Sequence, residues 1–249
     1  MKLVSFIAYE LIEVLERRKL WPSFLVKDPL KRELLQNGFV LLPRFFDKEY
    51  VDTVVEELIA KGEDIYNWKD QEKSDNRAYQ AERSLSSLDK FYANDFIKRT
   101  ASWFYGTKKL NSFILLNKLI PVLNNKGSGG GWHRDSPTRH QFKAILYLSD
   151  VSVKNGPFQI IPKSNRKRYI IRDFIRLGKV KRYRFTDEDI GRILSFDEYD
   201  IKNIVGPPGS LLLVDTKAYH RGMPIIEGQR LAATIYFFKG DIPKHMIHG

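Results

Sequence analysis

The order of the patterned segments limits the fold of this chain more than any other feature. Helical periodicity comes first and strand-like runs follow, with no regular β–α alternation. Runs rich in Ile, Leu, Val, Tyr and Phe, bounded by Gly, Pro, Asn or Asp, occur at 113–121, 142–149, 158–162, 210–214 and 231–238, and read as strands. Ahead of them, Leu3, Ile7, Leu11 and Leu15 recur every four residues and predict an amphipathic helix over 2–19, ended by Trp21-Pro22. Asp28-Pro29 is the N-cap and first residue of a second helix, which Asn37-Gly38 closes. A short buried strand at 38–43 and a helix from Asp47 to about Lys61, stopped by Gly62, come next. Residues 63–90 are expected to be loops with short helical pieces, 91–105 a helix, and 163–205 a long basic, partly helical insertion between strands. This order predicts a mainly β protein with flanking helices (α+β): an antiparallel barrel or sandwich with helices packed on one side. The expected organisation is one domain over 1–249, with a mainly helical part at 1–109 and the β core at 110–240.

Composition narrows the chemistry. There is no cysteine, which excludes zinc thiolate sites, iron–sulfur clusters, disulfides and thiol nucleophiles. No apolar run is long enough to span a bilayer, and Glu10, Glu13 and Glu16 break what would otherwise begin like a secretory signal, so a cytoplasmic location is expected. Docking of the 2–19 helix on its own domain is favoured over peripheral membrane contact. The net charge is +12, and 163–184 alone carries ten basic residues against one acid, Asp173. Such a concentration suits an anionic partner, or else serves only to keep the surface hydrated. No helix-turn-helix, zinc-finger or RNA-recognition signature accompanies it.

The chemistry-bearing segment is Trp132-His133-Arg134-Asp135, directly after the glycine-rich loop 127–131. That loop is either a long hairpin tip or a place where backbone approaches a ligand. On an extended segment His133 and Asp135 point to the same side and can both donate to one metal, although H-x-D alone occurs often by chance. His220 follows a strong strand, and ten residues later Arg230 opens the apolar strand 231–238. Two histidines and one carboxylate are the ligand set of non-haem Fe(II) oxygenases, which leaves positions open on the metal. A keto acid can take two of them, and an inward-facing arginine can hold its far carboxylate as a bidentate pair.

The sequence resembles the phytanoyl-CoA dioxygenase-like family of Fe(II)/2-oxoglutarate oxygenases over roughly residues 35–240. The resemblance rests on five motifs in matching order: Gly38-Phe39-Val40-Leu41-Leu42-Pro43; Trp132-His133-Arg134-Asp135; Leu146 to Asp150 followed by Asn155-Gly156-Pro157 and Ile161-Pro162-Lys163-Ser164; Pro208-Gly209-Ser210-Leu211; and His220-Arg221-Gly222 with Arg230. Lys163 and Asn165 depart from the family's usual Gly and His, and Ala232 stands where some relatives carry a polar residue. The resemblance implies a double-stranded β-helix core of the jelly-roll, cupin-like kind. It implies iron held by His133, Asp135 and His220, and the distal carboxylate of 2-oxoglutarate held by Arg230. It further suggests a co-substrate contact from the strand before the first metal motif, for which Asn117 is the candidate; the alternative is a side chain bonded to backbone. The implied activity is hydroxylation of a substrate C–H using O2, with release of succinate and CO2. A carboxylate at position 135, where related halogenases have a small residue, favours hydroxylation over halogenation.

No catalytic acid or base is expected beyond the metal ligands, and His140 reads as structural. Arg77, on a loop before the core, Arg134 and Arg139 beside the first metal motif, and Arg221 after the distal histidine are the candidates for binding a small anionic substrate bearing carboxylate, phosphate or CoA. Three other readings stand beside this one. A metal-free β-helix binding an anionic ligand would keep the fold without the activity. An oxygenase acting on nucleic acid would use the basic charge. A cupin or histone-demethylase-like enzyme is disfavoured by the position of Arg230, since the latter type grips 2-oxoglutarate through a lysine on an inner strand.

Overall fold

The computed structural model describes residues 26–135, 141–177, 183–195 and 200–246. The expected 2–19 helix, Arg139 and His140 lie outside these residues. Two helices come first, α1 (Pro29–Asn37) and α2 (Lys48–Lys61), separated by strand β1 (Phe39–Leu42). Each begins where the sequence supplies a cap: Asp28 accepts from the Lys31 amide and Asp47 from the Tyr50 amide. The segment expected to be loops also holds two short strands, β2 (Trp68–Lys69) and β3 (Asp75–Tyr79). After α3 (Asp89–Tyr92) and α4 (Asp95–Tyr105) come β4 (Asn111–Leu119), β5 (Phe142–Tyr147) and β6 (Phe158–Ile160). The basic insertion forms α5 (Lys167–Leu177) and α6 (Asp187–Ser195). The chain closes with β7 (Lys202–Ile204), β8 (Leu211–Asp215), β9 (His220–Gly222) and β10 (Arg230–Phe238).

These strands form two antiparallel sheets, one in the order β1-β8-β5-β10-β4-β3-β2 and the other β7-β6-β9. The fold is the expected jelly roll with helices on one side. Strand alternation divides the core between the two faces of the large sheet. Ile114, Leu116, Ala144, Leu146, Leu211, Leu213, Ala233 and Ile235 face the helices, where they meet Leu34, Val51, Val54, Ile97 and Phe104. Ile145, Tyr147, Leu212 and Val214 face the small sheet and meet Phe158 and Ile160.

The helical layer sets the position of the inner face. On α4 the buried residues Ile97, Thr100, Ala101 and Phe104 follow helical spacing, and the Phe104 ring lies 5.4 Å from that of Phe142, at the start of β5. Removing the Phe104 side chain would cost about 3–5 kcal/mol, the usual penalty for a buried aromatic. It would also loosen the strand that carries the inner residues 143, 145 and 147. No helix among the described residues is long and apolar enough to cross a membrane.

Candidate metal centre

The short strand β9 places His220 opposite an extended residue of the first metal motif. His133 and His220 exchange both backbone hydrogen bonds, each 2.9 Å, so their side chains emerge on the same face of the small sheet. The two imidazole centroids are 4.2 Å apart. Asp135, two residues along, points the same way; its amide is held by the Thr216 carbonyl at 3.1 Å. Asp135 Oδ1 lies 3.6 Å from His133 Nε2 and 3.8 Å from His220 Nε2. One donor atom from each of the three residues falls within 4.8 Å of the others, and no other such cluster occurs among the described residues.

Each ring is fixed through its other nitrogen. His133 Nδ1 is 2.8 Å from the Gly131 carbonyl and His220 Nδ1 is 2.9 Å from the Ala218 carbonyl. A carbonyl only accepts, so both Nδ1 atoms carry the proton and both Nε2 lone pairs face the cluster. Burial holds His133 down to about 4 against the pull of Asp135, and burial with the neighbouring His133 holds His220 well below its ordinary value. Both rings are therefore neutral near pH 7, as metal ligation requires. Burial alone would raise the Asp135 carboxyl, but the Lys143 ammonium beside it keeps it ionised well below the usual carboxylate range. His220 Nε2 is buried and has no hydrogen-bond partner. Two neutral imidazole nitrogens and one anionic oxygen converging on a point, one nitrogen buried and unpartnered, fit a divalent transition metal.

The glycine-rich loop packs against this site. Gly129 adopts φ +84°, and a Cβ there would come within 2.6 Å of His133 Cε1, so the loop backbone lies directly on the imidazole. The structure brings the backbone of this loop against the His133 side chain.

Arg230 lies on the inner face of the large sheet, buried. Its Nη2 donates to Asn117 Oδ1 at 3.1 Å and its Nη1 to the Gly156 carbonyl, while Nε is buried with no partner. Asn117 is not bonded to backbone: its Nδ2 donates to Asp75 Oδ1. Arg77, opposite Asn117 across β3 and β4, neutralises that aspartate with Nη2 at 2.5 Å and Nε at 3.1 Å from Oδ2. Arg77 thus sits at the Arg230 end of the inner face as the partner of Asp75. Arg230 itself touches only uncharged oxygens, and burial lowers its pKa. A buried cation in that state fits a carboxylate.

Arg134 and Arg221, the other candidate arginines among the described residues, face elsewhere. Residues on either side of a strand ligand point to the opposite face. Arg134 is buried, its guanidinium 3.7 Å from the centre of the Tyr219 ring and Nη2 3.5 Å from Asp173 Oδ2 on α5. Arg221 stacks at 4.7 Å on Trp132 and bonds Gln159 Oε1 at 2.6 Å and Asp187 Oδ1 at 3.1 Å. Both tie the insertion to the back of the metal strands. Arg184 instead lies beside the cluster: it bridges to His133 in the backbone, and its exposed guanidinium donates to the Gly129 and Gly130 carbonyls.

A residue outside the sequence candidates completes the site. Lys143, on β5 and 7% exposed, places Nζ 2.5 Å from Asp135 Oδ2 and 4.3 Å from the centre of the Tyr236 ring. It is an inner-strand lysine, but it contacts the aspartate, while Arg230 is the basic group that meets Asn117 and the Gly156 carbonyl.

The family model described as phytanoyl-CoA dioxygenase matches residues 34–229. The chain belongs to the phytanoyl-CoA dioxygenase family. Membership makes it an iron- and 2-oxoglutarate-dependent oxygenase that uses O2, or a related enzyme. Among solved structures, the epimerase SnoN from nogalamycin biosynthesis, in complex with Fe3+, α-ketoglutarate and nogalamycin RO, matches with a TM-score of 0.61 and 15% identity over 84% of this chain and 82% of its own. The α-ketoglutarate-dependent carbocyclase SnoK, also from nogalamycin biosynthesis, gives 0.60 and 16% over 87% and 85%. HygX from Streptomyces hygroscopicus, with nickel, 2-oxoglutarate and hygromycin B bound, gives 0.59 and 14% over 85% and 87%. Identities this low speak to the shared fold. No curated protein sequence matches the chain. Of the positions that differ from the family's usual pattern, Asn165 has a structural use: its Nδ2 donates to Asp215 Oδ2 at 3.2 Å.

Proposed function

We propose that this enzyme hydroxylates a small, anionic organic substrate, with iron(II) held by His133, Asp135 and His220 and 2-oxoglutarate anchored by Arg230. The observation that carries this reading is the pairing of two complementary features on one inner surface. One is a cluster of two neutral imidazole nitrogens and a carboxylate; the other is a buried arginine with only uncharged partners. Iron(II), when bound, supplies the oxidising chemistry that couples loss of CO2 from 2-oxoglutarate to C–H oxidation: substrate, 2-oxoglutarate and O2 give hydroxylated substrate, succinate and CO2.

The chain's own contribution is placement. The Gly131 and Ala218 carbonyls fix both imidazoles in the ligating tautomer. Asn117 orients the Arg230 fork, and Asp75 orients Asn117, which makes Asn117 a co-substrate residue in this reading and Arg77 its support. Tyr147, with its hydroxyl donating to the Ile204 carbonyl at 2.8 Å, and Phe158, stacked 5.2 Å from the His220 ring, line the inner surface with apolar bulk that excludes water.

Two structural neighbours carry the names epimerase and carbocyclase, so this fold also hosts outcomes other than hydroxylation. Hydroxylation is the outcome proposed here because it is the one the family resemblance implies, and the carboxylate at Asp135 disfavours halogenation. The anionic substrate is favoured by the net charge of +12 and by Arg184, exposed beside His133. Arg134 and Arg221 lie against Asp173, Tyr219, Gln159 and Asp187 behind the metal motifs, and this reading leaves them out of substrate binding. Screening carboxylate- and phosphate-bearing compounds for succinate release, with Arg184→Ala in parallel, tests this. Anion-dependent turnover that is lost in the variant supports the reading; turnover confined to uncharged compounds refutes the charge assignment.

A further inference from the structure

We propose that Lys143 is a positioning residue that pins Asp135 so that the aspartate offers a metal only one oxygen. The inference rests on the metal-centre reading above and adds to it the behaviour of a single carboxylate. Asp135 Oδ2 is 2.5 Å from Lys143 Nζ, while Oδ1 is the atom that faces both histidines, at 3.6 and 3.8 Å. The two oxygens therefore have separate duties. A carboxylate free to turn can present both oxygens to one cation; a carboxylate whose second oxygen is held by a buried ammonium cannot do so without breaking that pair.

The lysine is itself constrained. It is buried on the inner face, between Val214 of β8 and Tyr236 of β10 in the sheet register, with its ammonium over the Tyr236 ring. It also supplies the positive charge that a buried carboxylate needs. The consequence concerns the co-substrate. An octahedral ion that takes one atom from each of three protein ligands keeps room for a chelating keto acid and a further position. A second oxygen from Asp135 would take one of those places.

The test uses the full-length protein loaded anaerobically with cobalt(II), in the native form and as Lys143→Met, which keeps the length and apolar body of the side chain without the ammonium. The carboxylate stretching bands of carbon-13-labelled aspartate, read by difference infrared spectroscopy, distinguish one-oxygen from two-oxygen binding. Calorimetry gives 2-oxoglutarate affinity for the same samples. We expect one-oxygen bands in the native protein, two-oxygen bands in Lys143→Met, and 2-oxoglutarate binding about ten- to a hundred-fold weaker in the variant, the scale of a lost outer-shell partner. Unchanged bands in Lys143→Met overturn the proposal. If that variant does not fold, the native protein decides alone, because two-oxygen bands there overturn it equally. Failure of the native protein to bind cobalt at all would instead refute the metal-centre reading.

Discussion

Substituting Gly129 by alanine should damage the metal site through a contact that no ligand substitution probes. The new Cβ would lie 2.6 Å from His133 Cε1 and 3.3 Å from Nε2, whereas ordinary contact begins at 3.4 Å, so the ring must recede by about 0.8 Å. Its Nδ1 is tied to the Gly131 carbonyl at 2.8 Å, so the imidazole cannot retreat without weakening that bond. Two costs follow and can be separated. The backbone at φ +84° disfavours any L side chain, at about 1–2 kcal/mol of stability. Misplacement of a positioned group by on the order of 1 Å carries a loss of roughly a hundred-fold in function. Gly106, at the end of α4, provides the control: it has φ +69°, and a Cβ there meets nothing within 4 Å. Gly106→Ala should lower the melting temperature about as much as Gly129→Ala, while cobalt or iron titration should show metal affinity falling markedly in Gly129→Ala alone. Equal metal affinity in the two variants would refute the claim that the loop backbone sets the position of His133.

Arg230→Ala should leave metal uptake intact and weaken 2-oxoglutarate by about 2–5 kcal/mol, the cost of truncating one side of a buried charge pair, as read by calorimetry on metal-loaded protein. Arg134→Met should reduce stability by about 1–3 kcal/mol without changing 2-oxoglutarate affinity, as denaturant unfolding and titration would show; the usual 3–5 kcal/mol for a broken buried pair is discounted because Arg172 still holds Asp173 at 2.7 Å. The metal-free protein should lose stability as pH falls from about 6.5 to about 4. Both histidines have folded pKa values below the unfolded value, so the unfolded chain binds their protons first; thermal melts across that range check the sign, and bound metal should move the loss to lower pH.

Much of this was legible in the chain because it depended on local rules. Asp28, Asp47, Gly38 and Gly62 mark helix ends by capping chemistry, which acts within a few residues. The period of two put His133 and Asp135 on one face. Applied one step further, the same period places Arg134 and Arg221 on the other face, and that signal is present in the residue numbers alone. Strands β2, β3, β7 and β9 were less visible, being two to five residues long and polar, so that they exist through pairing with distant partners and not through their own pattern. The partners Asp75, Asp173 and Tyr219 are likewise contacts across the fold. Lys143 had a clue of its own: it is the one charge inside the apolar run 142–148. An ammonium in such a place needs a buried anion, but only the register of β5 against β8 and β10 identifies that anion as Asp135.

The most direct test of the account is anaerobic titration of the metal-free protein with iron(II) and then 2-oxoglutarate, following visible absorption. Chelation of the keto acid by iron(II) in the His133, Asp135 and His220 site should produce a metal-to-ligand charge-transfer band that saturates at one equivalent and is absent from His220→Ala. Folded protein that binds neither partner, or a band that survives loss of His220, would contradict the central claim.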